Sequence, residues 1–128
     1  MSPTLLISIA AGGAVGAVGR FLLTSSAGHW LGHGFPYGTM IVNIVGSLVL
    51  GGIIELLALV WSPGEEIRAF IIIGVLGSFT TFSTFSLDTV TLIDRGNILL
   101  AAGYVGGSIV ISILAFAFGM AMFRQILT

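Results

Sequence analysis

Two apolar segments of the chain each carry uncharged hydrogen-bond donors at every fourth position. They are Thr39, Asn43 and Ser47 in the first segment and Tyr104, Ser108 and Ser112 in the second. Residues four apart share one face of an α-helix, so each set forms a polar stripe about 12 Å long. A single Ser or Thr in a membrane helix often bonds only its own backbone or a neighbouring helix, which is the alternative interpretation. Two matched stripes together favour a transmembrane pathway.

An unusual run of small, hydroxyl and aromatic residues, Gly77-Ser78-Phe79-Thr80-Thr81-Phe82-Ser83-Thr84-Phe85-Ser86, lies between these segments. Gly74 and Gly77 weaken a helix just before it, and its hydroxyls compete for backbone hydrogen bonds. The pattern predicts a helix break near the membrane midplane, with Ser78 or Thr81 capping the second half. The carbonyls released at such a break suit a cation, because they lie at the negative end of a helix dipole. A continuous helix, with hydroxyls bonded to carbonyls one turn earlier, is the alternative.

Phe82 and Phe85 share a helix face beside this run. Lipid contact or packing is the ordinary role of such residues. The edge of an aromatic ring is, however, weakly positive. If these ring edges lie next to Asn43 and the hydroxyl groups, they form a lining that binds an anion without trapping it, as conduction requires.

The composition requires a lipid environment for these residues. Of 128 residues, 56% are hydrophobic and only 7% are charged, whereas soluble domains are about one quarter charged. The net charge of −1 gives no indication of a nucleic-acid partner. The chain has no cysteine, and its two histidines fall in one predicted loop, so no catalytic set is visible and we predict that it is not an enzyme.

Four apolar stretches are long enough to cross a bilayer, which needs about 20 residues. They are residues 4–26, 37–61, 68–93 and 97–124. The sequence therefore predicts an all-α membrane protein, with residues 1–128 forming a single four-helix transmembrane domain. Because the connections are short, neighbouring helices must run antiparallel.

The distribution of arginines hardly favours one orientation of the chain in the membrane over the other. Arg68 and Arg124 flank the membrane face at which the chain begins, and Arg20 and Arg95 flank the opposite face. Orientation follows the bias of such charges. We therefore predict that the chain inserts in both orientations and forms an antiparallel, dual-topology homodimer. The alternative is that details of the loops or of the N-terminus select a single orientation.

The remaining features are predicted to be structural. Arg20 and Asp88 lie at similar depth and are expected to pair, and Arg20 could also attract anions to a vestibule. Arg124 is the expected partner of Glu55. The glycines of Gly12-x-x-x-Gly16 and Gly103-x-x-x-Gly107 are expected to pack helices closely.

Three motifs carry a family resemblance. They are Gly19-Arg20-Phe21, Pro36-x-Gly38-Thr39-x-x-x-Asn43-x-x-Gly46 and Gly74-x-x-Gly77-x-x-Thr80-Thr81-Phe82-Ser83-Thr84-Phe85-Ser86. Together with the length and the four-span layout, they resemble the Fluc (CrcB) family of fluoride channels over essentially the whole chain. The resemblance implies a dual-topology homodimer in the cell (inner) membrane that exports fluoride passively and limits its cytoplasmic toxicity.

The resemblance also implies site residues. A structural, untransported Na⁺ would be held by the backbone carbonyls of Gly77 and Thr80. The implied pore lining comprises Asn43, Phe82, Phe85, Thr39, Tyr104, Ser108, Ser112, Ser83 and Thr84, with Arg20 and Asp88 at the vestibule. Family members carry a further hydroxyl one turn beyond Ser112, where this chain has Phe116.

A small dual-topology, proton-coupled exporter of cations or drugs is the closest rival by architecture. Such a carrier needs a membrane-embedded carboxylate. The first predicted helix has no acidic residue, and Glu55 is shallow. A purely structural membrane subunit is a second rival, but it leaves the matched stripes unexplained.

Overall fold

The computed structural model describes all 128 residues and is entirely helical. Helix α1 is Pro3–Leu31, α2 is Tyr37–Leu59, α4 is Ser83–Asp94 and α5 is Ile98–Leu127; α3 comprises the consecutive segments Glu65–Ala69, Phe70–Leu76 and Gly77–Phe79. Four stretches, with α3 and α4 counted as one, are long and apolar enough to cross a membrane. The predicted four-span architecture is confirmed.

Helix α1 begins and ends at clear signals. The Ser2 hydroxyl accepts a hydrogen bond from the Leu5 N–H (3.1 Å), and Pro3 occupies the first turn. The helix ends at Gly32, whose φ of +86° suits glycine. The predicted end at residue 26 is wrong, and His29 lies in the helix rather than in a loop, because the helical hydrogen bonds continue as far as the Gly32 N–H, which donates to the Gly28 carbonyl.

The predicted break in the third span is confirmed. Helix α3 ends at Phe79, Thr80 is extended (φ −85°, ψ 159°), and α4 begins at Ser83. The segment Phe70–Leu76 is a π-helix, a feature that the residue pattern does not predict. This wider winding directly precedes the break, and such segments often occur at functional sites.

Helix α1 packs against α3 through glycines, and α2 packs against α5. A Cβ atom built on Gly74 would lie 2.8 Å from the Gly12 Cα atom, so the two backbones touch. Gly51 on α2 similarly faces the Phe116 carbonyl on α5. Gly103 differs from the prediction, because no atom of the chain lies within 4 Å of its Cβ position.

Little of the chain is buried inside one copy. Only 19 of 128 residues are buried, and a small cluster of Phe85, Leu92, Ala101 and Tyr104 forms the core. Large apolar side chains cover much of the outer surface. In a membrane span these side chains face lipid or another protein surface, so this architecture belongs to a multi-pass membrane protein.

Candidate ion pathway

The break in the third span opens into a cavity of about 490 Å³ between α2 and α5. Its lining includes most of the predicted site residues, namely Asn43, Gly77, Thr80, Phe82, Phe85, Ser108 and Ser112, together with Ser47. No charged side chain lines it. The two polar stripes and the broken helix therefore meet at one uncharged site.

Asn43 fixes the break by binding its backbone. The Thr81 N–H donates to Asn43 Oδ1 (2.8 Å), and the Asn43 side-chain amide donates to the Thr81 carbonyl (3.0 Å). The Thr81 hydroxyl in turn accepts from the Thr84 N–H (3.1 Å) and caps α4. The prediction of Thr81 as a cap is confirmed. Because an amide nitrogen has two hydrogens, one N–H of Asn43 is left for a ligand in the cavity.

The two phenylalanines form one aromatic group but differ in exposure. Their ring centroids lie 5.5 Å apart at an interplanar angle of 56°. Phe85 is 8% exposed and also packs on Tyr104 (5.1 Å), whereas Phe82 is 76% exposed. Phe85 is thus part of the core, and Phe82 stands at the open side of the cavity.

The hydroxyls of the stripes differ from most other hydroxyls in the helices. Six hydroxyls elsewhere donate to a carbonyl one turn earlier: those of Thr24, Thr80, Ser86, Thr89, Thr91 and Thr128. By contrast, the Oγ atoms of Ser108 and Ser112 are buried without any hydrogen-bond partner. A buried hydroxyl without a partner costs about 1–3 kcal/mol. The stripe on α5 is therefore suited to receive a ligand.

A second cavity, of about 220 Å³, lies at the membrane face opposite the N-terminus. Thr39, Asp88, His33 and Arg95 are among its lining residues. The buried Tyr104 stands next to it and donates its hydroxyl hydrogen bond to Asp88 (3.1 Å). The predicted residues therefore extend from the first cavity towards an opening at this face.

Four predicted residues line neither cavity: Tyr104, which stands beside the second one, and Arg20, Ser83 and Thr84. Arg20 Nη1 is 3.5 Å from the Thr84 hydroxyl, and Ser83 is exposed on α4. The predicted Arg20–Asp88 ion pair is wrong, because Arg20 reaches α4 at Thr84 while Asp88 turns towards Tyr104 on α5. The predicted pairing of Glu55 with Arg124 is confirmed at 2.6 Å.

The carbonyl groups of Gly77 and Thr80 have the properties of hard-cation ligands. Both residues line the first cavity, and neither carbonyl oxygen accepts a hydrogen bond from the chain. Hard cations bind oxygen ligands, and backbone carbonyls are among those they take. The residues present therefore fit the implied ion, although one chain supplies only these two oxygens.

Comparison with known proteins identifies the family. Residues 7–120 match the family model described as CrcB-like protein, Camphor Resistance (CrcB). The chain belongs to the CrcB family. A relative from Rhodospirillum centenum, named fluoride-specific ion channel FluC, is 48% identical over 120 residues, covering 94% of this chain and 95% of its own length.

Other CrcB relatives agree with this match. The fluoride-specific ion channel FluC of Nitrobacter winogradskyi is 45% identical over 126 residues, which is 98% of this chain and 100% of the relative. The fluoride-specific ion channel FluC of Agrobacterium fabrum is 46% identical over 118 residues, which is 92% of this chain and 94% of the relative. The similarity therefore spans the whole four-helix unit.

Two features of the site in this CrcB chain are not predicted by the sequence alone. The binding of Asn43 to the Thr81 backbone was not foreseen, because no local pattern links residues so far apart in sequence. Ser47 was recognised as part of a stripe but was not among the predicted pore residues. Its spacing of one turn from Asn43 was the available signal.

Proposed function

We propose that this chain is a fluoride-selective ion channel that lets fluoride leave the cell passively across the cell (inner) membrane and so limits its cytoplasmic toxicity. The observation that carries the proposal is the uncharged cavity at the helix break, with buried Ser108 and Ser112 hydroxyls that lack partners. The CrcB relatives named as fluoride-specific channels supply the identity of the ion. A channel is not an enzyme, in agreement with the sequence-based prediction.

The geometry explains how an anion crosses without being trapped. Fluoride is small and strongly hydrated, so a narrow path must replace its water with close donors. Asn43 offers one free N–H, Ser108 and Ser112 offer hydroxyls, and Phe82 and Phe85 offer positive ring edges. Because none of these groups is charged, fluoride binds each of them weakly enough to dissociate again. Chloride is larger and fits a constriction sized for fluoride poorly.

We further propose that the working unit is an antiparallel homodimer of dual topology. The first cavity is open on the side where Gly77 and Phe82 are exposed, and a second copy would close it there. The helical Gly103 and Gly106, which meet no atom of their own chain, offer a further face for close helix contact. The balanced arginines favour both orientations.

The sodium ion belongs to the same proposal. The carbonyls of Gly77 and Thr80 would hold it at the interface of the two copies, where a second chain doubles the number of oxygen ligands. When bound, it supplies fixed positive charge near an anion path. The protein's own residues bind and orient the fluoride.

The rival exporter is disfavoured by the position of the buried acid. Glu55 is the carboxylate on which proton-coupled exchange would depend, but it is paired with Arg124. Glu55 also lies outside both cavities, so it cannot bind a substrate there.

The test is anion release from liposomes that contain the purified protein, read with a fluoride electrode and a chloride electrode. We expect fast fluoride release without chloride release. Phe82→Ile and Asn43→Ala are expected to abolish it, whereas Thr89→Val, which removes a hydroxyl bonded to its own helix, is expected to leave it unchanged. Absence of fluoride release from a folded dimer would overturn the proposal.

Topology is tested separately. The chain has no cysteine, so single cysteines placed at each terminus report orientation by their reaction with an impermeant reagent. Equal labelling of each terminus from both sides is expected. Labelling from one side only would exclude the antiparallel dimer.

A further inference from the structure

Helices α2 and α5 run in the same direction, and residues of both polar stripes line the first cavity between them. A constant offset in residue number pairs Thr39 with Tyr104, Asn43 with Ser108 and Ser47 with Ser112. The next positions in this series, Gly51 and Phe116, do lie in contact, which fixes the register. The two stripes therefore form tiers, each with one residue from α2 and one from α5.

The third tier, Ser47 with Ser112, differs from its neighbours. Both residues line the first cavity. The Ser112 hydroxyl is buried without a partner, and the Ser47 hydroxyl makes no hydrogen bond, not even to the carbonyl of Asn43 one turn earlier. Two free hydroxyls on residues that line one cavity are donors for a shared ligand.

The path of donors ends at this tier. The Gly51–Phe116 tier offers no hydroxyl, and a Cβ atom on Gly51 would collide with the Phe116 carbonyl. The two helices therefore close against each other one turn beyond Ser47. An anion that reaches the level of Ser112 meets its last donors from these two helices there.

We propose that Ser47 is an ion-contacting residue that binds fluoride jointly with Ser112, so that the last anion-binding tier of this chain is built from both helices. The inference rests on the proposed channel function and adds a ligand on α2. A small anion that accepts a hydrogen bond from each side satisfies both free hydroxyls at once. Ser47 thus supplies a second donor in a chain whose α5 stripe is cut short at Phe116.

The experiment measures the initial rate of fluoride release from liposomes against fluoride concentration. Ser47→Ala is expected to lower the rate at limiting fluoride by about tenfold, the effect of losing one hydrogen bond to a charged group, and Ser47→Thr is expected to restore it. The matched control is Thr89→Val, whose hydroxyl bonds the Phe85 carbonyl. Thermal unfolding and size-exclusion profiles are expected to match those of the unmodified protein.

A double-mutant cycle tests the shared tier. If Ser47 and Ser112 hold one ion, the loss in the Ser47→Ala/Ser112→Ala protein is smaller than the product of the two single losses. Three results would each overturn the inference while leaving the channel function intact. They are a double-mutant loss equal to the product of the single losses, an unchanged release rate in Ser47→Ala, and an equal loss of rate in Ser47→Ala and Ser47→Thr. Absence of fluoride release from the unmodified protein would instead overturn the channel function, and the inference with it.

Discussion

The α1–α3 contact and the α2–α5 contact are both built from small residues, but they do opposite things. At Gly12 and Gly74 the backbones of α1 and α3 touch, and neither of the two cavities described above lies between them. Between α2 and α5, Ser47 and Ser112 keep their hydroxyls free beside a cavity. Small residues therefore close the contact at Gly12 and Gly74, whereas at Ser47 and Ser112 they line a cavity with free donors.

The difference has an energetic side. Close backbone contact gains dispersion energy, which is the main attraction between helices in lipid. Unpaired hydroxyls instead cost stability until a ligand satisfies them. The α1–α3 contact stabilises the fold, and part of that stability offsets the cost of the polar site. Four predictions test this division, from the largest expected effect to the smallest.

Asn43→Asp is expected to abolish conduction while leaving the α1–α3 contact intact. The carboxylate keeps an acceptor for the Thr81 N–H but loses the donor to the Thr81 carbonyl. It also places a negative charge in the anion path, and repulsion of about 4 kcal/mol at 4 Å predicts a loss of at least about 100-fold in fluoride release. The electrode assay measures it.

The matched control for this change is Asn97→Asp. Asn97 precedes α5, and its side chain makes no capping hydrogen bond. Fluoride release is expected to stay near that of the unmodified protein. If Asn43→Asp also conducts normally, Asn43 does not line the path.

Gly74→Ala is expected to destabilise the fold without a specific effect on anion selectivity. The added methyl group would lie 2.8 Å from the Gly12 Cα atom and 2.9 Å from the Ile9 carbonyl oxygen. Overpacking of this kind costs about 1–3 kcal/mol, which thermal unfolding in detergent detects as a lower Tm.

Gly19→Ala is the matched control, because Gly19 also lies within a helix but the nearest atom to its Cβ position, Cδ1 of Phe79, is 3.6 Å away, an ordinary contact. Alanine favours a helix over glycine by about 0.5–1 kcal/mol, so its Tm is expected to be unchanged or slightly raised. Equal destabilisation by both substitutions would contradict the assignment of α1–α3 as the tightly closed contact.

The ion pair at the end of α2 is expected to respond asymmetrically. Glu55 is buried and Arg124 is largely exposed. Arg124→Gln leaves a buried carboxylate without a partner, whereas Glu55→Gln leaves an exposed cation in water or at the headgroups. Arg124→Gln is therefore expected to lower the Tm by on the order of 5 °C more than Glu55→Gln does. The reverse order would mean that Glu55 is not buried in the membrane-embedded protein.

Much of this architecture followed from spacing and composition. Spans near 20 apolar residues fix the number of crossings, and Gly77 followed by a run of hydroxyl residues predicted the break. Two features needed tertiary structure. Arg20 bonds Thr84 rather than Asp88 because sequence gives the depth of a residue but not which neighbouring helix it faces. The binding of Asn43 to Thr81 likewise depends on how α2 packs against the break.

The glycines show the same limit. Gly12 and Gly103 both begin small-residue motifs of the same spacing, yet only Gly12 contacts another helix of its own chain. Sequence spacing identifies a surface that permits close approach. Which partner covers that surface, another helix of the chain or another molecule, depends on the arrangement of the whole bundle.

The smallest expected effect comes from lengthening the polar stripe. Phe116→Thr places a hydroxyl one turn beyond Ser112, on the residue whose backbone carbonyl lies against Gly51 where the two helices close. If donor supply limits passage at this end, fluoride release at limiting concentration is expected to rise by about two- to threefold, a small share of one hydrogen bond's effect. Phe116→Leu, which shortens the side chain without adding a donor, separates the hydroxyl from the lost volume. If fluoride release rises in Phe116→Leu as well, the available space, rather than a donor, limits passage beyond Ser47 and Ser112. The contrast between closed and donor-lined contacts would then depend on side-chain volume alone.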